Sequence, residues 1–583
     1  MTVEPIYFGS AGARAFAWLH RPDAPTGLGV VLCPPLGYEA VQAQRPLRHL
    51  AEQLCARGHH VLRLDYPGTG DAEGIDEGDS VDGWVNSIVD ALAELRAEGC
   101  GTLALYGLRS GALLAAVCAA THPVDALVLH ALPTSGRHFI RELRAFRRMA
   151  AASGLDDPSL LELDPKAEEV AGYVLWGATV ATLSAIDLAT RPDVPRCLFV
   201  AREDLATDEA VVAKWSSQGD VTRIEPGGYA AMMQDPHKAE VPDAAWSAIA
   251  SWLDELPRGR VGTASTTRTR ELEHVAAVRI DARRVSMTDV HVHERPIRYG
   301  ENNRLFGILT EPVGEATREP ILLLNSGAVH RVGPNRMHVV WARAWAAAGH
   351  RVLRADIGGI GDSMPPPGQP ENLTYSPTGV ADVQAAVDEL AHRDPRPPTL
   401  IGICSGAYVA FHAARSARIG RAVLINPQTF DYKEGDSLEV SSARVASEFT
   451  HYRRSLFSSE KWKKLASGGV NLGHLAEIVL GRARSVLETR VENLRRRFLS
   501  QVEAEGPLGS EIRRVADRTK LVFVFSDGDP GLDYIDRHAG EAIRRLRREA
   551  KVVFDLVTHA DHTFTPPESQ RRLFALLSSY LTG

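Results

Sequence analysis

Thr399-Leu400-Ile401-Gly402-Ile403-Cys404-Ser405-Gly406-Ala407-Tyr408-Val409-Ala410-Phe411-His412 is the stretch on which the reading of the fold turns. The apolar run at 399–401 reads as a buried strand, and the pattern from Ala407 onward reads as a helix. The five residues Gly402-Ile403-Cys404-Ser405-Gly406 join them as a G-x-nucleophile-x-G turn. Such a turn is sharp, and side chains at its flanking positions would collide with the strand or the helix. The central side chain is forced out at the helix N-terminus. There the dipole and the free N–H groups favour a thiolate and later an oxyanion. Cys404 is therefore the candidate nucleophile.

Working outward, the same architecture is written twice. The first half gives Gly29-Val30-Val31-Leu32-Cys33, Val61-Leu62-Arg63-Leu64-Asp65 and Leu103-Ala104-Leu105-Tyr106-Gly107-Leu108-Arg109-Ser110-Gly111, with helical patterns between them. The second half gives Ile321-Leu322-Leu323-Leu324-Asn325, Val352-Leu353-Arg354-Ala355-Asp356 and the Cys404 turn. The offsets nearly agree, 291 residues for Asp65 to Asp356 and 295 for Arg109 to Cys404. Matching blocks in the same order predict an internal duplication. Strands apolar on both faces, alternating with helices, predict two tandem α/β domains, each a mostly parallel sheet flanked by helices. The expected division is 1–256 for the first domain, 257–285 for a linker rich in Pro, Gly, Ser, Thr and Arg, and 286–583 for the second.

The bulk numbers agree with that plan. A chain of 583 residues is too long for one core, and 44% hydrophobic with 24% charged residues is ordinary for a globular protein. A net charge of −7 argues against whole-protein binding to nucleic acid. No uninterrupted apolar stretch is long enough to span a bilayer. The opening Met1-Thr2-Val3-Glu4-Pro5 lacks the features of a signal peptide, and six cysteines without a C-x-x-C pair suit a reducing compartment, so a cytoplasmic location is expected. Gly358-Gly359-Ile360-Gly361 lacks dinucleotide spacing, and His291-Val292-His293 lacks a third ligand nearby, so no cofactor or metal is expected.

Both halves resemble the α/β-hydrolase superfamily in its serine aminopeptidase-like branch. The first half resembles hydrolase-like proteins, some from exosortase-associated gene clusters, that read C-P-P-x-G, D-Y-x-G-T-G-D and G-L-R-x-G. The second resembles relatives that read G-P-N-R, D-x-x-G-I-G-D-S and G-x-C-S-G, present here as Gly333 to Arg336, Asp356 to Ser363 and Gly402 to Gly406. The resemblance implies a triad in the order nucleophile, acid, histidine. Asp529, after the strand Leu521 to Phe525, best matches the acid, with Asp527 as the near alternative. His562 matches the histidine ahead of His559. The oxyanion donors it implies are the backbone N–H groups of Ser405 and Ala328. Cysteine turns on this fold occur in polyhydroxyalkanoate synthases and in aminoacyl-shuttling transferases, which handle thioesters, and also in dienelactone hydrolases, which use water. Exchange of one thioester for another is near thermoneutral. The favoured expectation is therefore an acyltransferase acting on acyl thioesters, with a thioesterase or esterase as the alternative and a non-catalytic scaffold as a third reading.

The first half carries Arg109 at the nucleophile position and Tyr229 where the resemblance puts histidine, so it is expected to be inactive. Arg109 either binds an anionic group or, the preferred reading, forms an ion pair with Asp204 at the end of the first half's acid strand. A helical lid is expected at about 430–518. Residues 451–500 hold eleven Lys/Arg and four Asp/Glu, a local +7. The cluster includes Arg495, Arg496 and Arg497, which would suit docking of an acidic acyl or peptidyl carrier protein or of CoA.

Overall fold

The computed structural model describes residues 1–75, 79–152, 163–205, 209–258, 262, 275–281, 285–432 and 506–582. Most of the expected lid, including Arg495, Arg496 and Arg497, lies outside the described residues.

The first sheet has eight strands: β1 (Thr2–Phe8), β2 (Ala15–Arg21), β3 (Leu28–Cys33), β4 (His60–Asp65), β5 (Thr102–Leu108), β6 (Ala126–His130), β9 (Arg196–Val200) and β10 (Asp220–Ile224). Their order in space is β1-β2-β4-β3-β5-β6-β9-β10. A separate antiparallel hairpin comprises β7 (Glu168–Val170) and β8 (Tyr173–Leu175). The second sheet has nine strands: β11 (Val275–Ile280), β12 (Val285–Tyr299), β13 (Leu305–Pro312), β14 (Ile321–Leu323), β15 (Val352–Asp356), β16 (Thr399–Ile403), β17 (Arg421–Ile425), β18 (Lys520–Ser526) and β19 (Val552–Val557). Its order β11-β12-β13-β15-β14-β16-β17-β18-β19 repeats the first, with β11 added at the edge. In both sheets the opening strands pair antiparallel and the rest run parallel. The central strands are buried on both faces, which explains their continuous apolar runs. Val275–Ile280, assigned from sequence to the linker, instead forms β11. It pairs with β12 because its apolar side chains Val275 and Ala277 complete a buried cluster with Phe306 and Ile308. The end of the expected lid differs too: Pro507–Ala516 is a helix that buries Ile512 and Val515 in the core of the second half.

The halves meet across a seam that combines aromatic packing with buried ions. Phe16 and Trp18 pack with Phe306, the Trp18 and Phe306 rings 4.7 Å apart. Around them Arg331 pairs with Asp71 at 2.6 Å and with Asp356 and Asp362 at 2.8 Å. Asp71 and Asp362 stand 291 residues apart in the two glycine-rich motifs, as do Arg63 and Arg354 in the strands before them. Each aspartate bonds the arginine of the other half, Asp71 to Arg354 and Asp362 to Arg63. The seam thus has the reciprocal contacts of an isologous interface. Burial alone would raise the Asp71 carboxyl, but Arg331 and Arg354 overrule it and hold it down at about 2. Arg336 donates to the backbone oxygens of Gly70, Ala72 and Gly74 at 2.6–3.1 Å, which ties the second half to the glycine-rich loop of the first.

Candidate active site

β16 ends at Ile403, the helix Ser405–Ala413 begins one residue past Cys404, and Cys404 itself sits at φ 57°, ψ −116°. An L residue at this φ is strained, so the surroundings must hold it there. They do so by close approach: a Cβ on Gly402 would lie 2.2 Å from the backbone of Gly406, and one on Gly406 would lie 2.4 Å from Asn325 O. Both glycines are therefore steric requirements of the turn. The Ser405 hydroxyl accepts from Gly327 N at 3.0 Å and so anchors the loop after β14 to the head of the helix. Asn325 fixes the root of that loop, accepting from Ile357 N and donating to Asp356 and to Val329 O. Ser326, Gly327 and Ala328 line the cavity that holds Cys404.

His562 lies in the same cavity. Its Nδ1 is 2.5 Å from Asp529 Oδ2, and the Asp529 side chain is fully buried. Asp529 takes a second bond from Gly531 N at 2.8 Å, at the N-terminus of the helix Pro530–Arg548. Burial would lower the imidazole, yet the adjoining Cys404 and then Asp529 lift it well above the ordinary histidine range, which favours the imidazolium. Asn426 holds the histidine loop, donating to His562 O at 2.8 Å and to Ser526 Oγ at 3.0 Å. The alternatives Asp527 and His559 are both exposed.

Three features were not anticipated from sequence. Tyr375 is buried beside Cys404; its hydroxyl is pushed up by burial and then by the cysteine, but makes no aligned hydrogen bond among the described residues. It stacks on Tyr432 with ring centroids 4.5 Å apart. The carboxamide of Gln428 lies 3.2 Å from His562 Nε2. The cavity over Cys404, of about 190 Å³, is walled in part by Tyr38, Val41, Tyr173 and His237 of the first half.

The corresponding turn of the first half has kept its shape and changed its chemistry. Arg109 sits at φ 55°, ψ −119°, and Ser110 Oγ accepts from Leu36 N as Ser405 does from Gly327. The expected pair with Asp204 does not form. Arg109 is 4% exposed and is held by Glu39 at 3.0 Å and Glu142 at 2.5 Å, whereas Asp204 pairs with Arg202. Arg202 in turn lies 4.6 Å over the Tyr229 ring. An external anion at Arg109 would have to compete with Glu39 and Glu142.

The fold and the cysteine turn define a class: an α/β protein with a potential nucleophile at the C-terminal end of a central parallel strand. Residues 321–576 match the model described as the alpha/beta hydrolase family. Similar solved structures include Est1E from Butyrivibrio proteoclasticus, with 18% identity, 43% of this chain and 98% of that one covered, and a TM-score of 0.31. Proline iminopeptidase from Mycobacterium smegmatis shares 16% identity, with 44% and 98% covered and a TM-score of 0.30. The thioesterase domain from the curacin biosynthetic pathway shares 16% identity, with 43% and 99% covered and a TM-score of 0.28. Comparison with the curated proteins gives no match. Among the described residues no helix is long and apolar enough to cross a membrane.

Proposed function

We propose that the chain is an acyl-transfer enzyme that forms an acyl-enzyme on Cys404 from a thioester donor. The observation that carries the reading is the placement of Cys404, at a strained turn, in one cavity with a histidine bound to a buried carboxylate. His562 takes the thiol proton while Asp529 fixes the imidazole tautomer and stabilises its cation. The Cys404 thiolate attacks the thioester carbonyl carbon, and the oxyanion is held by the N–H groups of Ser405 and Ala328. The bond to the donor sulfur breaks, and His562 returns the proton to the departing thiolate. An acceptor then loses its proton to His562, attacks the acyl carbon and releases Cys404. The donor is a thioester of CoA or of an acidic carrier protein, and the basic composition of 451–500 suits either. The first half has no nucleophile at its turn and serves as a wall.

Hydrolysis is the second reading, favoured by the family that residues 321–576 match. The two separate on product analysis of the purified chain given an acyl thioester with and without an acceptor thiol. Transfer predicts acyl-enzyme that persists until the acceptor arrives. Steady release of free acid without an acceptor would establish hydrolysis instead.

A further inference from the structure

A second cavity, of about 270 Å³, lies in the seam between the halves. Leu47, Val174 and Trp176 of the first half face Met337, Val340 and Trp341 of the second. Val41, Tyr173 and Asn335 line both this cavity and the one over Cys404, so the two spaces adjoin through shared walls. The hairpin β7–β8 is seated firmly there: a Cβ on Gly172, at its turn with φ +83°, would lie 2.5 Å from Asn335 Nδ2 and from Thr565 O.

The arginines on this wall already have partners, and the Asp65 carboxyl, which accepts from Asp71 N at 3.0 Å, is pushed up to about 6 by burial and then by Asp71. Arg336 is occupied by three backbone oxygens, Arg63 by Asp362 and Arg571 by Glu568. His330 is lowered by burial and then by Arg331, which favours its neutral form. What remains for a ligand is mainly apolar surface, which argues against an anionic occupant. An apolar cavity of about 150 Å³ accepts benzene, so about 270 Å³ holds on the order of ten carbons.

We propose that the seam cavity is the acyl pocket, taking a straight aliphatic chain of roughly ten carbons while the thioester carbonyl sits at Cys404. This rests on the acyl-enzyme reading above and adds to it a substrate class and a task for the first half. The chain runs from the sulfur past Tyr173 into the seam, and most of the seam's wall comes from a domain without a nucleophile at its own turn.

The test uses the full chain and acyl-N-acetylcysteamine thioesters of graded length, following acylation of Cys404 by intact-protein mass. Acylation efficiency is expected to rise roughly fourfold for each methylene buried, levelling near ten carbons. Val340→Phe and, from the first half, Val174→Phe each fill the seam and are expected to cut the decanoyl-to-acetyl ratio at least about tenfold. A binding arm needs no chemistry: Cys404→Ala protein is titrated calorimetrically with the decanoyl and acetyl thioesters, and the decanoyl compound is expected to bind at least about tenfold tighter. Acetylation of Cys404 with no gain from chain length overturns the pocket and leaves the acyl-enzyme reading standing. Length-dependent binding with no adduct on the wild-type chain overturns the acyl-enzyme reading and leaves the pocket standing. Equal binding of the two thioesters, or a ratio untouched by both fillings, overturns the pocket.

Discussion

Asp529→Asn separates a positioned triad from a chance cluster. The carboxylate is fully buried and has two acceptor oxygens in use, one toward Gly531 N at 2.8 Å and one toward His562 Nδ1 at 2.5 Å. Asparagine offers a single acceptor oxygen. If that oxygen stays with Gly531, an NH₂ group faces Nδ1 and forces the proton onto Nε2, the wrong tautomer for accepting a proton from Cys404. The substitution also removes a charge that lifts the His562 imidazolium. A hydrogen bond to a charged group is worth about 1.5–3 kcal/mol, so the thiolate–imidazolium pair should lose roughly 10- to 150-fold in population. Acylation, read as the burst of released thiol at neutral pH, should slow by about the same factor. The pH at which the imidazolium is lost should move down, because one of the groups raising it is gone. A burst within about twofold of the wild type, or a comparable loss in Asp527→Asn, would refute the assignment.

Tyr375→Phe removes a buried hydroxyl that makes no aligned hydrogen bond among the described residues, so thermal stability should change by less than about 0.5 kcal/mol. If that hydroxyl supports the thiolate or the oxyanion, the acylation burst should slow by roughly two- to twelvefold, and an unchanged burst would assign it a packing role. Asp71→Asn strips one partner from a buried network at the seam and should cost about 3–5 kcal/mol, measured by denaturant unfolding. The wild-type Asp71 carboxyl is depressed in the fold to about 2, so its contribution is present above the ordinary aspartate range near 4 and is lost as pH falls toward 2. Stability should decline across that window; a flat acid profile would contradict the pairing.

Most of the fold was legible because its signals are local. The glycines around Cys404 are required by atoms a few ångströms away on the same strand–turn–helix unit, and Arg109 announced the altered turn of the first half by standing at the same backbone position. The chain order of Cys404, Asp529 and His562 located residues that the fold brings into contact, and exposure separates Asp529 and His562 from Asp527 and His559. What escaped depends on distance along the chain. The partners of Arg109 are 70 and 33 residues away on helices with no signature, so Asp204, nearer in motif, drew the assignment. Tyr375 lies in a proline-rich loop that carries no periodicity. The seam cavity is assembled from many separated segments of both halves, and no linear pattern encodes it. β11 was hidden by its polar flanks and by Arg279 within it, because so short an apolar run as Val275 to Val278 gains its strand character only from pairing with β12.

The proposed chemistry rests on one sulfur, that of Cys404. The purified chain should be mixed with an acyl thioester, quenched, digested and weighed. The expected result is one acyl group, carried on the peptide that contains Cys404 and lost in Cys404→Ala. A chain that stays unmodified, or an acyl group found on another residue, would contradict it.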